Sequence, residues 1–131
     1  MHYLLLIYTA EPTPDTSPDV IRSETAAYGE FTRWLIDRGQ FKAGEALHPT
    51  TAATTVQVRD GRTITTDGPY AETKEALGGF YLIDAKDLDE AIGAAARIPG
   101  AQHGFIEIRP ILELPSMATG GPADEAVAAA G

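Results

Sequence analysis

The sequence predicts an α+β domain of the ferredoxin-like type: two βαβ halves joined by a hairpin, an antiparallel sheet, and two helices on one face. Three observations predict it. Strand, helix and strand patterns occur in that order twice, with a hairpin pattern between the two sets. Tyr3–Tyr8 and Phe80–Ile83 are apolar at every position, as strands buried on both faces are. Two helices cover only one face of a sheet, so the other face should meet a partner. A second copy of the same sheet is the simplest partner, and a homodimer built face to face is expected.

The elements follow in order. Tyr3–Tyr8 is the first strand, and a loop with three prolines runs from Thr9 to Pro18. Ser17, Pro18 and Asp19 make a helix start: a cap, a proline in the first turn, and an acid near the positive helix end. Ile21, Tyr28, Phe31 and Leu35 recur at helical spacing and form its core stripe, and Gly39 is placed as a left-handed stop. Phe41–Leu47 is the second strand. Residues 54–66 form a hairpin turning at Asp60-Gly61. A three-residue loop sets Val56 opposite Ile64, whereas a two-residue loop sets Arg59 opposite Arg62, two like charges. The first register is preferred.

Gly79–Asp84 is the next strand, with Gly78-Gly79 marking a bulge or a close strand approach. Asp87 and Glu90 form a capping box, and Leu88, Ala91, Ile92 and Ala95 are the expected buried stripe of the second helix, which Pro99-Gly100 stops. Phe105–Ile111 alternates, with Ile106 and Ile108 on one side and Phe105, Glu107 and Arg109 on the other. Residues 1–114 are read as one domain. Residues 115–131, rich in Ala, Gly and Pro, are read as a flexible tail.

Composition excludes several functions. Ten Lys and Arg against nineteen Asp and Glu give a formal charge of −9, the wrong sign for tracking phosphates or anionic membranes. The acidity is concentrated in residues 67–131, with four basic and eleven acidic side chains. The chain has no cysteine, so thiol nucleophiles, disulfides and thiolate zinc sites are absent. Its longest apolar run is far short of a membrane span of about 20 residues, and its first residues lack a signal-peptide pattern. A cytoplasmic location is expected. His2, His48 and His103 form no close metal-binding pair, and Glu45 and His48, three apart on one expected strand, fall on opposite faces. No serine elbow, phosphate loop or dinucleotide motif is present, so no cofactor is called for.

The densest chemistry lies in Asp67-Gly68-Pro69-Tyr70-Ala71-Glu72-Thr73-Lys74-Glu75, between two strands. Asp67 is a candidate general base or an Asx cap of the turn. Lys74 is a candidate for stabilising an anionic intermediate, tuned by Glu72 and Glu75, or a solvated lysine. On the last strand, Arg109 suits a substrate carboxylate or enolate and Glu107 a proton, or the two form a structural ion pair. Tyr70, Glu45 and Phe105 complete the candidate ligand contacts. Tyr28 is able to face the cleft but is assigned first to the core by its spacing with Phe31 and Leu35, and Trp34 is assigned to the core or its rim.

The stretch Asp67–Glu75, followed by Leu77-Gly78-Gly79-Phe80-Tyr81, resembles the signature of the DGPF subgroup of YCII-related proteins, with Tyr70 in place of that subgroup's phenylalanine. The Tyr3–Tyr8 strand, Gly44-Glu45-Ala46-Leu47, Thr55–Gly61 and Ile106-Glu107-Ile108-Arg109-Pro110 fit as well, so the resemblance covers about residues 1–112. It implies a ferredoxin-like fold paired into a dimeric α/β barrel with a cleft between sheet and partner. It implies no settled activity: one relative in the wider superfamily is a dehydrochlorinase on a chlorinated hydroxyquinol. The His–Asp pair of YciI-type members aligns near Tyr28 and Ile98, so that chemistry does not carry over. Two functions are implied. One is a cofactor-independent enzyme or binder for a small anionic or phenolic ligand, with Asp67, Lys74, Glu107 and Arg109 in its cleft. The other is a non-catalytic regulatory partner linked to an extracytoplasmic-function sigma factor.

Overall fold

The computed structural model describes residues 1–114; the expected tail at 115–131 lies outside the described residues. Its elements are β1 (His2–Thr9), α1 (Pro18–Asp37), β2 (Phe41–Ala46), β3 (Thr54–Arg59), β4 (Arg62–Asp67), β5 (Ala76–Asp84), α2 (Leu88–Ala96) and β6 (Phe105–Pro110). Short 3₁₀ turns occupy Thr50–Ala52 and Pro99–Gln102. Four strands form one antiparallel sheet in the order β2-β5-β1-β6, and β3 pairs with β4 as a separate ribbon. This is the expected α+β, ferredoxin-like arrangement.

Strand alternation sorts the sheet into two faces. Tyr3, Leu5, Ile7, Tyr81 and Ile83 are buried with Phe31 and Leu35 of α1 and Ala91, Ala94 and Ala95 of α2. The intervening residues face away from the helices. Register aligns them in rows: Glu45, Phe80, Leu6 and Glu107 in one, Ala43, Leu82, Leu4 and Arg109 in the next. The second face is thus apolar in its middle and charged at its ends, and Phe105 at its corner is 65% exposed.

The helix starts are those the sequence encodes. Ser17 Oγ accepts from the Val20 amide, and Asp87 Oδ1 accepts from the Glu90 amide at 2.9 Å. Glu90 does not close the box on Asp87; its carboxylate accepts from the Lys86 amide and from the buried Gln40 side chain. Gly39 takes φ +71 after α1, as a left-handed stop requires.

Two expectations are corrected. The hairpin pairs Arg59 with Arg62, and Val56 faces Thr65 rather than Ile64. Asp60 and Gly61 both have positive φ, the two-residue turn whose twist matches that of its strands. Both arginines are exposed, so water screens their repulsion and the turn geometry wins. On α2, Ala94 is buried while Leu88 and Ile92 are about half exposed. The helix lies close to the sheet through alanines, and its larger apolar side chains fall at the edges of that contact.

Candidate functional site

On α1, Ile21, Glu24, Thr25, Tyr28 and Thr32 are three and four residues apart and share one flank. Toward the end of the helix the buried stripe is Phe31 and Leu35. Toward its start, the flank stands off from the sheet. Between it and the ends of β1, β2 and β5 lies a cavity of about 490 Å³. Ile7, Phe41, Gly44, Gly79 and Tyr81 contribute from the sheet; Glu11 and Pro12 come from the loop after β1, and Leu47, His48 and Pro49 from the segment after β2. The lining is mostly apolar with a few polar groups, the usual composition of a small-molecule site.

Glycines shape it. A Cβ on Gly44 would lie 2.8 Å from the Tyr81 ring, and one on Gly79 would lie 2.8 Å from the Glu45 carbonyl oxygen. Bare backbone at Gly44 lets the Tyr81 ring lie against β2, where it meets Phe31 edge-on at 5.0 Å. Tyr81 Oη is 2.7 Å from Thr32 Oγ1. Thr32 spends its single proton on the Tyr28 carbonyl, so Tyr81 is the donor of that pair. The register shift beside Gly78 and the close approach at Gly79 match the sequence reading of that glycine pair.

Tyr28 is tied to the far side of the domain. Its hydroxyl accepts from the Gly100 amide at 3.1 Å, and a Cβ on Gly100 would stand 2.7 Å from that oxygen. Among the described residues no acceptor takes the Tyr28 O–H proton. Burial raises the Tyr28 pKa, with the Glu24 charge and Tyr81 adding to the shift and the Gly100 hydrogen bond opposing it. The phenol is therefore neutral at physiological pH. Nearby, Glu24 meets His103 Nε2 at 2.8 Å, and Glu11 accepts from the Thr50 amide at 3.0 Å.

The sequence candidates fall elsewhere; Glu45 borders the cavity only where the β2 backbone edges it. Asp67 closes β4 opposite Thr54, exposed, and its carboxylate accepts no hydrogen bond among the described residues. Tyr70 is 91% exposed, Glu72 and Lys74 are exposed, and Glu75 is half-buried. The turn itself is fixed at Gly68, φ +98, whose amide donates to the Ala53 carbonyl and whose carbonyl accepts from Thr55. Glu107 and Arg109 form a 3.3 Å ion pair on the second sheet face, beside Phe105. Asp67, Lys74, Glu107 and Arg109 do not line the cavity between α1 and the sheet.

Glu45 borders the cavity through the β2 backbone, with its register position in the second-face row beside Phe80, and His48 lines the cavity beyond the strand end. β2 ends at Ala46, so strand alternation does not extend to His48. Tyr28, read as core first and cleft second, is half-buried and lines the cavity. Its spacing with Phe31 signals the helix face but not where that face leaves the sheet. Trp34 is a rim residue, with the Arg38 and Arg97 guanidiniums 4.7 and 4.5 Å from its ring centre. No helix among the described residues is long and apolar enough to cross a membrane.

The chain has counterparts among known proteins. Residues 1–115 match the model of the YCII-related domain, and the chain belongs to the YCII-related family. An uncharacterised protein of Rhizobium meliloti strain 1021 is 38% identical over 128 residues, covering 88% of this chain and all of the relative. Among solved structures, 5-chloro-2-hydroxyhydroquinone dehydrochlorinase from Burkholderia phenoliruptrix AC1100, complexed with 2,5-dihydroxybenzoquinone, is 15% identical. That match has a TM-score of 0.49 and covers 88% of this chain and 98% of the other.

Proposed function

We propose that the protein is a small-molecule enzyme or binding protein whose ligand, a ring-bearing compound, occupies the cavity between α1 and the sheet. The observation that carries this reading is the cavity itself: about 490 Å³, with the half-buried Tyr28 among its lining residues. The chemistry available there is proton transfer. Tyr28 is a neutral acid, and Glu24 and His48 are lining residues with groups able to accept a proton. Any turnover would then be acid–base work by these side chains.

The second sheet face takes a second copy of the chain in this account. The row Glu45, Phe80, Leu6 and Glu107 has an apolar centre and charged ends, the anatomy of an interface core and rim. A twofold axis through such a patch sets it against itself.

A thermal-shift screen with phenols, ring ketones and ring carboxylates, run on wild type and Ile21→Trp, tests the cavity reading. Ile21 is 48% exposed, so an indole there fills cavity space without entering the core. Compounds that raise the wild-type melting point and lose that effect in folded Ile21→Trp support the reading. Shifts that persist unchanged in Ile21→Trp contradict it.

A further inference from the structure

Two features of the cavity concern which ligands it accepts. The first is charge. Glu11 and Glu24 line it, and Lys and Arg are absent from its lining among the described residues. His48 is the one lining group able to become a cation. An anionic ligand would give up water to enter a space bordered by two carboxylates, with no fixed positive charge to receive it.

The second feature is the direction of one hydrogen bond. The Gly100 amide donates to Tyr28 Oη, so the phenol's acceptor side is engaged while its proton is free. Gly100 enforces this, since any larger residue would put a Cβ 2.7 Å from that oxygen. A donor pre-positioned this way rewards an incoming acceptor oxygen and gives nothing to a group that can only donate. The raised Tyr28 pKa keeps that proton in place.

We infer that the cavity selects neutral ring compounds bearing an acceptor oxygen, a ring carbonyl above all, with Tyr28 as the donor that holds that oxygen and the acidic lining as the barrier to anions. This rests on the small-molecule reading above and narrows it: of the anionic and phenolic ligands expected from sequence, the anionic class is removed. It makes Tyr28 a specificity-determining residue.

The test uses three probes of similar size, acetophenone, ethylbenzene and benzoate, with affinities measured by ligand-observed NMR. The proteins are wild type, Tyr28→Phe, Gly100→Ala and Ile21→Trp, each first shown to be folded by thermal melting. Acetophenone is expected to bind wild type about fivefold more tightly than ethylbenzene, the worth of one modest hydrogen bond. That preference should disappear in Tyr28→Phe and shrink in Gly100→Ala, which keeps the hydroxyl but displaces it. Benzoate should be the weakest binder of the three in wild type, Tyr28→Phe and Gly100→Ala. Benzoate binding wild type more tightly than acetophenone overturns the inference, and so does a ketone preference that survives Tyr28→Phe. In both cases loss of binding in Ile21→Trp would leave the cavity reading standing. Absence of any probe binding that Ile21→Trp abolishes overturns the cavity reading and the inference with it.

Discussion

The Tyr28 hydroxyl accepts a 3.1 Å hydrogen bond from the Gly100 amide, 72 positions along the chain, joining the first helix to the 3₁₀ turn that precedes the last strand. This contact holds one wall of the cavity to the domain and leaves the phenol with a free proton. Removing the acceptor in Tyr28→Phe strands a part-buried amide. The expected cost is about 1–2 kcal/mol of stability, read as a lower midpoint in urea unfolding with an unchanged slope.

Gly100→Ala should destabilise the domain. Its Cβ would meet Tyr28 Oη at 2.7 Å and the Ile7 and Thr9 methyls at 3.1 Å. A loss of about 1–3 kcal/mol is expected from overpacking. Gly29, on the exposed side of α1, has nothing within 4 Å of its would-be Cβ. Gly29→Ala should therefore stabilise by about 0.5–1 kcal/mol through helix propensity. Paired thermal melts check both signs.

Alkaline pH should weaken the fold through Tyr28. Its folded-state pKa is raised above the ordinary tyrosine value of 10.0, chiefly by burial. A raised folded value means that the folded state holds its proton longer than the unfolded chain does. The contribution is complete below the unfolded value and is lost as pH rises through the folded one. Stability measured from pH 9 upward should fall more steeply in wild type than in Tyr28→Phe.

These effects were legible in the sequence only in part. Ser17, Asp87 and Gly39 marked helix ends because caps and left-handed stops depend on a few neighbouring residues. Strand order followed from alternating apolar positions such as Ile106 and Ile108. The cavity was not legible: Ile21 and Tyr28 carry the same spacing as Phe31 and Leu35, and only the diverging paths of α1 and β2 separate lining from core. Asp67, Lys74 and Arg109 stood out by side-chain chemistry, but their positions in space depend on how the hairpin and sheet edges are arranged. Gly44 had no local turn signal, since its role is to make room for a ring on a neighbouring strand.

The turn of the hairpin offers an independent check on its register. Gly61 holds φ +74, and Gly61→Val places a β-branched residue where only glycine is comfortable. Because β3 and β4 pair only with each other, amides from Val56 to Ile64 should exchange faster. Global melting should move little. A large drop in the global melting point would mean that the ribbon is integral to the domain core.

Leu6 sits between Phe80 and Glu107 on the second sheet face. Leu6→Asp should split a face-to-face dimer, because it puts a charge at the centre of the apolar row. Light scattering should give twice the 13.9 kDa chain mass for wild type and one chain mass for the variant. A wild-type mass of a single chain would remove the dimer from the account.

The location of the ligand site is tested most directly by a two-dimensional amide NMR titration of the isotopically labelled protein with acetophenone. The account predicts saturable shifts at Ile21, Tyr28, Gly44, Leu47 and Gly79, with Glu107, Arg109 and Lys74 unmoved. Shifts centred on Phe105, Glu107 and Arg109 would contradict it and put the site on the second sheet face.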